Sequence, residues 1–281
     1  MADRVVLLRR SSLGDVVLLG AVTSALDAHV TVVTDARWIE VVQRLRGVDA
    51  VSPWPERPSG RVVDLQGSLR SFALAPWASR IRKRSLRRRL RMWTVRGGRP
   101  PVPVLYGEAC GVQPEPPPWI DVSGSRDVLT LVPGAAWPLK RAPVAALIEA
   151  GRSWRGPVVV LGGPGEQALV SSVALRVPGA EALAETGFGR TLEVLGRTQV
   201  ALCGDTGLMH LAGACGARVV GLFGPTHPDD GFFVYDGRVV QRDLSCRPCA
   251  LHRVTACRRG DLACMAVDLE AVVEAVTQCA G

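Results

Sequence analysis

The chain has 281 residues, enough for two domains of ordinary size, and 47% hydrophobic content without low-complexity tracts marks it as globular. No apolar run approaches the ~18 residues of a membrane-spanning helix, and the apolar part of MADRVVLLRRSS is too short for a signal peptide. The expectation is therefore a cytoplasmic protein whose eight cysteines are buried thiols or metal ligands rather than disulfides. The formal charge of +8 is local: residues 79–99 hold nine arginines, one lysine and no acid, leaving 24 basic against 26 acidic residues elsewhere.

Arg4–Leu8 is a short β-branched and leucine run, followed by Arg9-Arg10-Ser11-Ser12-Leu13-Gly14-Asp15 and an apolar, helix-compatible stretch from Val16 to Leu26. This reads as a strand, a small-residue loop and a helix start. Asp15 falls at the carboxyl end of the first strand, where α/β sheets bind ligands; on spacing alone it is either a helix cap or a site carboxylate. Val30–Thr34 and Val62–Leu65 read as further strands, the second entering Asp64-Leu65-Gln66-Gly67-Ser68-Leu69-Arg70. Drawn as a helix, the basic run places Arg80, Arg84, Arg87, Arg88 and Arg91 on one broad face, with Ile81, Leu86, Leu90 and Trp93 interleaved. That face is either simply solvated or meets an anion, whether nucleic acid, a membrane surface or a phosphorylated glycolipid. Interleaved apolar residues suit a membrane interface, and no motif for nucleic-acid recognition accompanies them. Seven prolines between residues 100 and 118 predict a linker without regular structure, dividing the chain into domains 1–120 and 121–281.

The second half repeats the strand-loop-helix grammar. Val128–Val132 leads into Pro133-Gly134-Ala135-Ala136-Trp137-Pro138-Leu139-Lys140-Arg141, and Lys140 is one of only two lysines in a chain that otherwise uses arginine. Val158–Leu161 leads into Gly162-Gly163-Pro164-Gly165-Glu166; Glu166 is either an acceptor for ribose hydroxyls or an ordinary turn residue. Thr191–Thr198 reads as a short helix feeding the strand Val200–Cys203. Gly204-Asp205-Thr206-Gly207 then supplies a turn and a cap, and Leu208, Leu211, Ala212 and Cys215 give helical spacing up to Gly216, before a strand at Arg218–Phe223. Such a unit aims helix N-terminal amides at the sheet edge, which suits a phosphate, whereas Asp205 suits neutral sugar hydroxyls unless it or Thr206 only caps the helix. His210, one turn into that apolar helix, reads as a packed histidine.

In the tail, Cys246 and Cys249 form a CxxC pair, followed by Cys257 and Cys264. Four thiolates at this spacing predict a structural zinc site, with an iron–sulfur cluster as the alternative and His252 as a substitute ligand. Glu270–Val276 reads as a closing helix.

These motifs together resemble the glycosyltransferase family that contains the lipopolysaccharide heptosyltransferases. Its marks are a DTGxxH helix followed by a GPT turn (here Asp205–His210 and Gly224–Thr226), an RxSSLGD loop ending at Asp15, a DLQG segment with a basic residue at Arg70, a PGAxWPxKRWP-like loop with Ala142 in place of tryptophan, and the GGPGE string. The resemblance implies a GT-B architecture, an α/β fold of two Rossmann-like domains whose parallel sheets face a central cleft. It implies an inverting glycosyl transfer that needs no cofactor or metal, moving a heptose-type sugar from ADP-heptose to a lipopolysaccharide-core or other lipid-linked, anionic acceptor at the inner membrane surface. Asp15 would be the general base, and Lys140 with the amides around Thr206 and Gly207 would hold the diphosphate. Asp205 would hold sugar hydroxyls, with Glu166 and Gly14 among the sugar-nucleotide contacts, and the closing helix would pack back on the first domain. Connections between the N-terminal strands are shorter than in the family at large. The alternative is therefore a non-catalytic sugar-nucleotide-binding or scaffold protein of the same fold; the sequence sets no oligomeric state.

Overall fold

In the computed structural model, residues 3–81, 100–228, 234–249 and 255–281 are described. The chain divides into two compact units, Met1–Asp121 and Val122–Gly281. The first is built on a five-stranded sheet of order β3-β2-β1-β4-β5, from β1 (Arg4–Leu8), β2 (His29–Thr34), β3 (Ala50–Pro53), β4 (Arg61–Asp64) and β5 (Ser79–Arg80). Every pairing is parallel, with Leu8 opposite Val33 on one side and Asp64 on the other.

The second unit carries a six-stranded, wholly parallel sheet of order β11-β10-β9-β6-β7-β8. Its strands are β6 (Val128–Val132), β7 (Val158–Gly162), β8 (Glu181–Ala184), β9 (Thr198–Gly204), β10 (Arg218–Phe223) and β11 (Gly237–Gln241). All five positions of β6 and of β7 are buried, as a parallel sheet covered on both faces requires. In both sheets the first strand sits centrally and the order reverses beside it, the Rossmann-like arrangement.

Short connections in the first unit fold into brief helices: α1 (Leu13–Val17), α2 (Gly20–Thr23), α3 (Ile39–Val42) and α4 (Leu69–Leu74). The helix expected from Val16 thus starts three residues early, because Ser12 is the N-cap and Asp15 completes its capping box, and it proceeds as two pieces. The proline-rich stretch is not the unstructured linker its composition predicts: Val102–Cys110 is a helix, α5. Pro103 falls in its first turn, where an amide hydrogen has no intrahelical partner to lose, and Gly111 ends it at φ 77°. Tyr106 and Trp119 from this region are fully buried, and Gly20 lies where a Cβ would overlap the Trp119 ring.

The second unit adds α6 (Val144–Ser153), α7 (Gln167–Ala174), α8 (Phe188–Arg197), α9 (Gly207–Ala214) and α10 (Leu269–Ala280). Leu129, Leu131, Leu147, Val160, Leu202, Val220 and Val272 share one core, and each such side chain contributes about 1.5–3 kcal/mol by leaving water. The closing helix α10 packs on α6 and on β9, β10 and β11, so it completes the core of the second unit. Among the described residues no helix is long and apolar enough to cross a membrane.

Candidate functional site

In the second sheet the chain moves from β6 out to β7 and β8, then returns to β9 on the other side of β6. The loops after β6 and β9 therefore leave the carboxyl edge where the strand order reverses, the position at which open α/β sheets bind ligands. Lys140 ends a single 3-10 turn, Pro138–Lys140, in the first loop, and Asp205 directly follows β9 in the second. They meet: Lys140 Nζ lies 2.6 Å from Asp205 Oδ2, and both side chains are about nine-tenths buried. Thr226, in the turn after β10 and fully buried, donates its hydroxyl to the same carboxylate oxygen at 2.9 Å. Gly204 permits the approach, since a Cβ there would overlap the Lys140 carbonyl.

Thr206 takes the N-cap position of α9 in extended conformation, without a side-chain capping bond, and Gly207 begins the helix. The first-turn amides of α9 thus stand at the sheet edge beside the ion pair. Capping alone does not account for Asp205, whose carboxylate is turned to Lys140 and Thr226. On the buried face of α9, Met209 takes the inward position that spacing gave to Leu208, while His210 is half-buried. Glu166 precedes α7 and accepts from the Gly163 amide at 2.8 Å. Its carboxylate occupies the space where a Cβ on Gly134 would lie, so it packs the loop after β7 against the loop after β6.

A second polar cluster forms where the order of the first sheet reverses, between β1 and β4. Asp15, at the third position of α1, accepts from the amide and hydroxyl of Ser12 at 3.2 and 3.0 Å and pairs with Arg9 at 2.5 Å. Arg9 also donates to the Leu65 carbonyl at 2.8 Å, and Tyr106 donates its hydroxyl to the Asp15 carbonyl at 3.1 Å. Gln66 accepts from the Arg10 and Ser11 amides, so the loops after β1 and β4 are tied together. Gly14 lies buried within α1, and Arg70 is exposed on α4. Burial pushes the Asp15 carboxyl up, but the Arg9 charge and the Ser12 hydrogen bonds outweigh it and hold the group below its ordinary range.

Cys246, Cys249, Cys257 and Cys264 line one small cavity, whose wall includes Leu139 and Pro225. Burial and the neighbouring thiols raise Cys249 and Cys264, whereas backbone donors from Leu262 and Arg259 lower Cys257. Among the described residues no three Cys, His, Asp or Glu side chains stand at metal-binding geometry. Cys110, Cys203, Cys215 and Cys279 are buried; burial pushes Cys110 and Cys215 up to about 12, which makes them inert packing thiols. His252 and the arginines at 84, 87, 88 and 91 lie outside the described residues.

Sequence reasoning gave no individual role to Arg9, Thr226 or Arg247. Arg9 had a local signal, being the first polar residue after β1. Thr226 lies in the GPT turn that the sequence shows, but its contact with Asp205, like the partners of Arg247, is set by tertiary contacts.

Two outcomes follow from this geometry. Lys140→Met leaves a buried, unpaired carboxylate and should cost about 3–5 kcal/mol in chemical denaturation, whereas Lys140→Met with Asp205→Leu should recover most of it; a loss under about 1 kcal/mol for the single change would mean the pair is screened by water. For Asp15, whose folded pKa is depressed, the stabilising contribution is present above the ordinary carboxylate range and fades as pH falls through the lower folded value. In Arg9→Met only burial and the Ser12 bonds remain, so the Asp15 midpoint, followed by carboxyl NMR, should move upward; an unchanged midpoint would refute the role given to Arg9.

A family model described as glycosyltransferase family 9 (heptosyltransferase) matches residues 112–253, half of the chain. Among curated proteins none matches. Solved structures similar to the chain include a glycosyl transferase family 9 protein from Veillonella parvula, with TM-score 0.76 and 17% identity over 99% of this chain and 97% of that one. They include the ADP-heptose LPS heptosyltransferase II of E. coli, with TM-score 0.67 and 18% identity over 96% and 98%. They also include the iron-containing dodecameric glycosyltransferase TibC of enterotoxigenic E. coli, with TM-score 0.63 and 16% identity over 99% of this chain and 75% of that one. At these identities the structural likeness speaks for the fold, which is the α/β GT-B fold with two parallel sheets. Taken with the family model, the DTG helix, the lysine loop and the GPT turn make the chain a member of glycosyltransferase family 9, the heptosyltransferase family.

Proposed function

We propose that the protein transfers a heptose-type sugar from ADP-heptose to a lipopolysaccharide-core or other lipid-linked acceptor, with inversion at the anomeric carbon. The observation that carries this reading is the meeting of Lys140 and Asp205 at the order reversal of the second sheet, beside the N-terminus of α9. A cation and helix amides at one edge suit a diphosphate, while a carboxylate paired with Lys140 and hydrogen-bonded by Thr226 can accept from sugar hydroxyls. The heptosyltransferase II neighbour is described as acting with ADP-heptose, which supports the choice of donor.

In the transfer, Asp15 takes the proton from the acceptor hydroxyl as its oxygen bonds to the anomeric carbon. The bond from that carbon to the diphosphate breaks, and the electron pair leaves on the phosphate oxygen. Lys140 and the amides of Thr206 and Gly207 stabilise that departing charge; no metal enters the chemistry. Arg9 keeps Asp15 ionised, the form able to accept a proton, but makes it a weaker base. That pairing also favours the second reading, a sugar-nucleotide-binding protein that does not transfer. The basic run at residues 79–99 suits an anionic acceptor at a membrane surface, and the protein works there as a peripheral cytoplasmic enzyme.

The four tail cysteines fit a structural zinc site in donor chemistry and in sharing one cavity, and the loops that carry them must draw closer to ligate an ion. A bound ion would cross-link these loops and supply no reactive position.

Calorimetry should show ADP and ADP-heptose binding in preference to GDP and UDP, with the sugar's added affinity lost in Asp205→Ala. Asp15→Ala should bind donor normally and turn over no acceptor. Absence of nucleotide binding would end the transferase reading, and donor binding with neither transfer nor hydrolysis on any lipid acceptor would select the second. Elemental analysis of the purified chain should find about one zinc per chain, lost in Cys257→Ser with a lowered melting temperature. Iron in its place would select the cluster alternative, and a metal-free, equally stable chain would refute the site.

A further inference from the structure

The cysteine-rich tail is joined to the candidate donor site through one residue. Arg247 lies inside the CxxC pair, between Cys246 and Cys249, and is only 5% exposed. Its guanidinium donates to the carbonyls of Gly224, Arg242 and Thr226, the last at 3.0 Å, and to Gln241 Oε1 at 3.0 Å. Two of these carbonyls belong to the Gly224-Pro225-Thr226 turn, and the third residue of that turn is also held, since the Cys249 amide donates to the Pro225 carbonyl at 3.0 Å. Cys264 and Met265 close on Gly224, where Met265 leaves no room for a Cβ. The turn is thus clamped from the tail side at all three residues. On its other side Thr226 donates to Asp205, which pairs with Lys140.

We propose that Arg247 is a positioning residue for the sugar-nucleotide site: by holding the 224–226 turn it fixes the Thr226 hydroxyl, and through it the Asp205 carboxylate and the Lys140 ammonium. This rests on the donor-site reading above. A planar guanidinium, with five donors in a fixed fork, can hold all four of these acceptors at once, which an ammonium with three donors cannot. Without it, buried carbonyls of the turn lose their donors and the turn is free to shift.

The test uses the full chain with Arg247→Met, Arg247→Lys and Thr226→Val, followed by hydrogen exchange and by ADP calorimetry. Arg247→Met should speed exchange at residues 222–228 and 205–209 while β6 and β7 keep wild-type protection. It should weaken ADP binding about tenfold, the scale of one charged hydrogen bond, and adding Thr226→Val should weaken it little further. Exchange that rises only within residues 242–265 with ADP affinity intact, or losses that simply add, would overturn the proposal. If Arg247→Met does not fold, Arg247→Lys, which keeps the charge but not the bridge, is read by the same criteria. Should the wild-type chain bind no nucleotide, the donor reading fails by itself, and the exchange pattern alone decides whether the clamp exists.

Discussion

A lysine and an aspartate 65 residues apart in sequence share one hydrogen bond inside the second unit, and the surrounding loops are shaped to let them. Placing two charges out of water is costly unless their remaining hydrogen-bonding capacity is met. Thr226 supplies part of that satisfaction, and the bare Cα of Gly204 lets the strand end reach the lysine loop. Glu166 performs a comparable task one strand over, where its carboxylate holds the Gly163 amide and fills the space beside Gly134. The carboxyl edge is therefore lined by loops that pack and bond to each other, not merely by the ends of strands. Such fastening suits a site that must present charge in fixed directions without reorganising.

The first unit follows the same logic with different chemistry. Asp15 is held by Ser12 and Arg9 near the point where strand order reverses, and Arg9 in turn ties the loop after β1 to Leu65 after β4. The structure places the carboxylate in an electropositive setting that keeps it ionised, and the proposed transfer requires it to accept a proton only as the new glycosidic bond forms. Both units thus pair a carboxylate with a cation at the same topological position of a parallel sheet. In one the cation is an arginine fork with several acceptors; in the other it is a compact ammonium.

Much of this was legible in sequence because the strand-loop-helix grammar is local. β1, β6, β7, β9 and β10 are short, mostly apolar runs bounded by glycine or polar turns, and Asp15, Lys140, Glu166 and Asp205 each lie in the segment that follows one of them. What was not legible depended on contacts across the chain or on weak patterning. β11 is mostly exposed and lacks an apolar face, and β5 has only two residues, so neither leaves a periodic trace. The helix α5 was hidden by prolines that a first turn tolerates. Which of Arg9 and Arg10 turns inward, and that Arg247 reaches the GPT turn, follow only from the packed loops. Family resemblance supplied roles for the site residues, and geometry added that two of them are partners of each other.

The separation of Lys140 from Asp205 also bears on how the unit is made. The lysine belongs to the first strand and loop of the second sheet, whereas the aspartate arrives with the fourth, after β7 and β8 have been laid on the opposite side. In a chain folded only as far as β8 the lysine has no Asp205 to pair with, so this contact forms only when β9 is laid beside β6. The ion pair bridges the loops after β6 and β9, whose strands are paired at the centre of the sheet, so a ligand that binds there recognises only molecules in which β9 has joined β6. Binding would then draw the population toward the finished fold, so that abundance of ligand and yield of folded protein rise together.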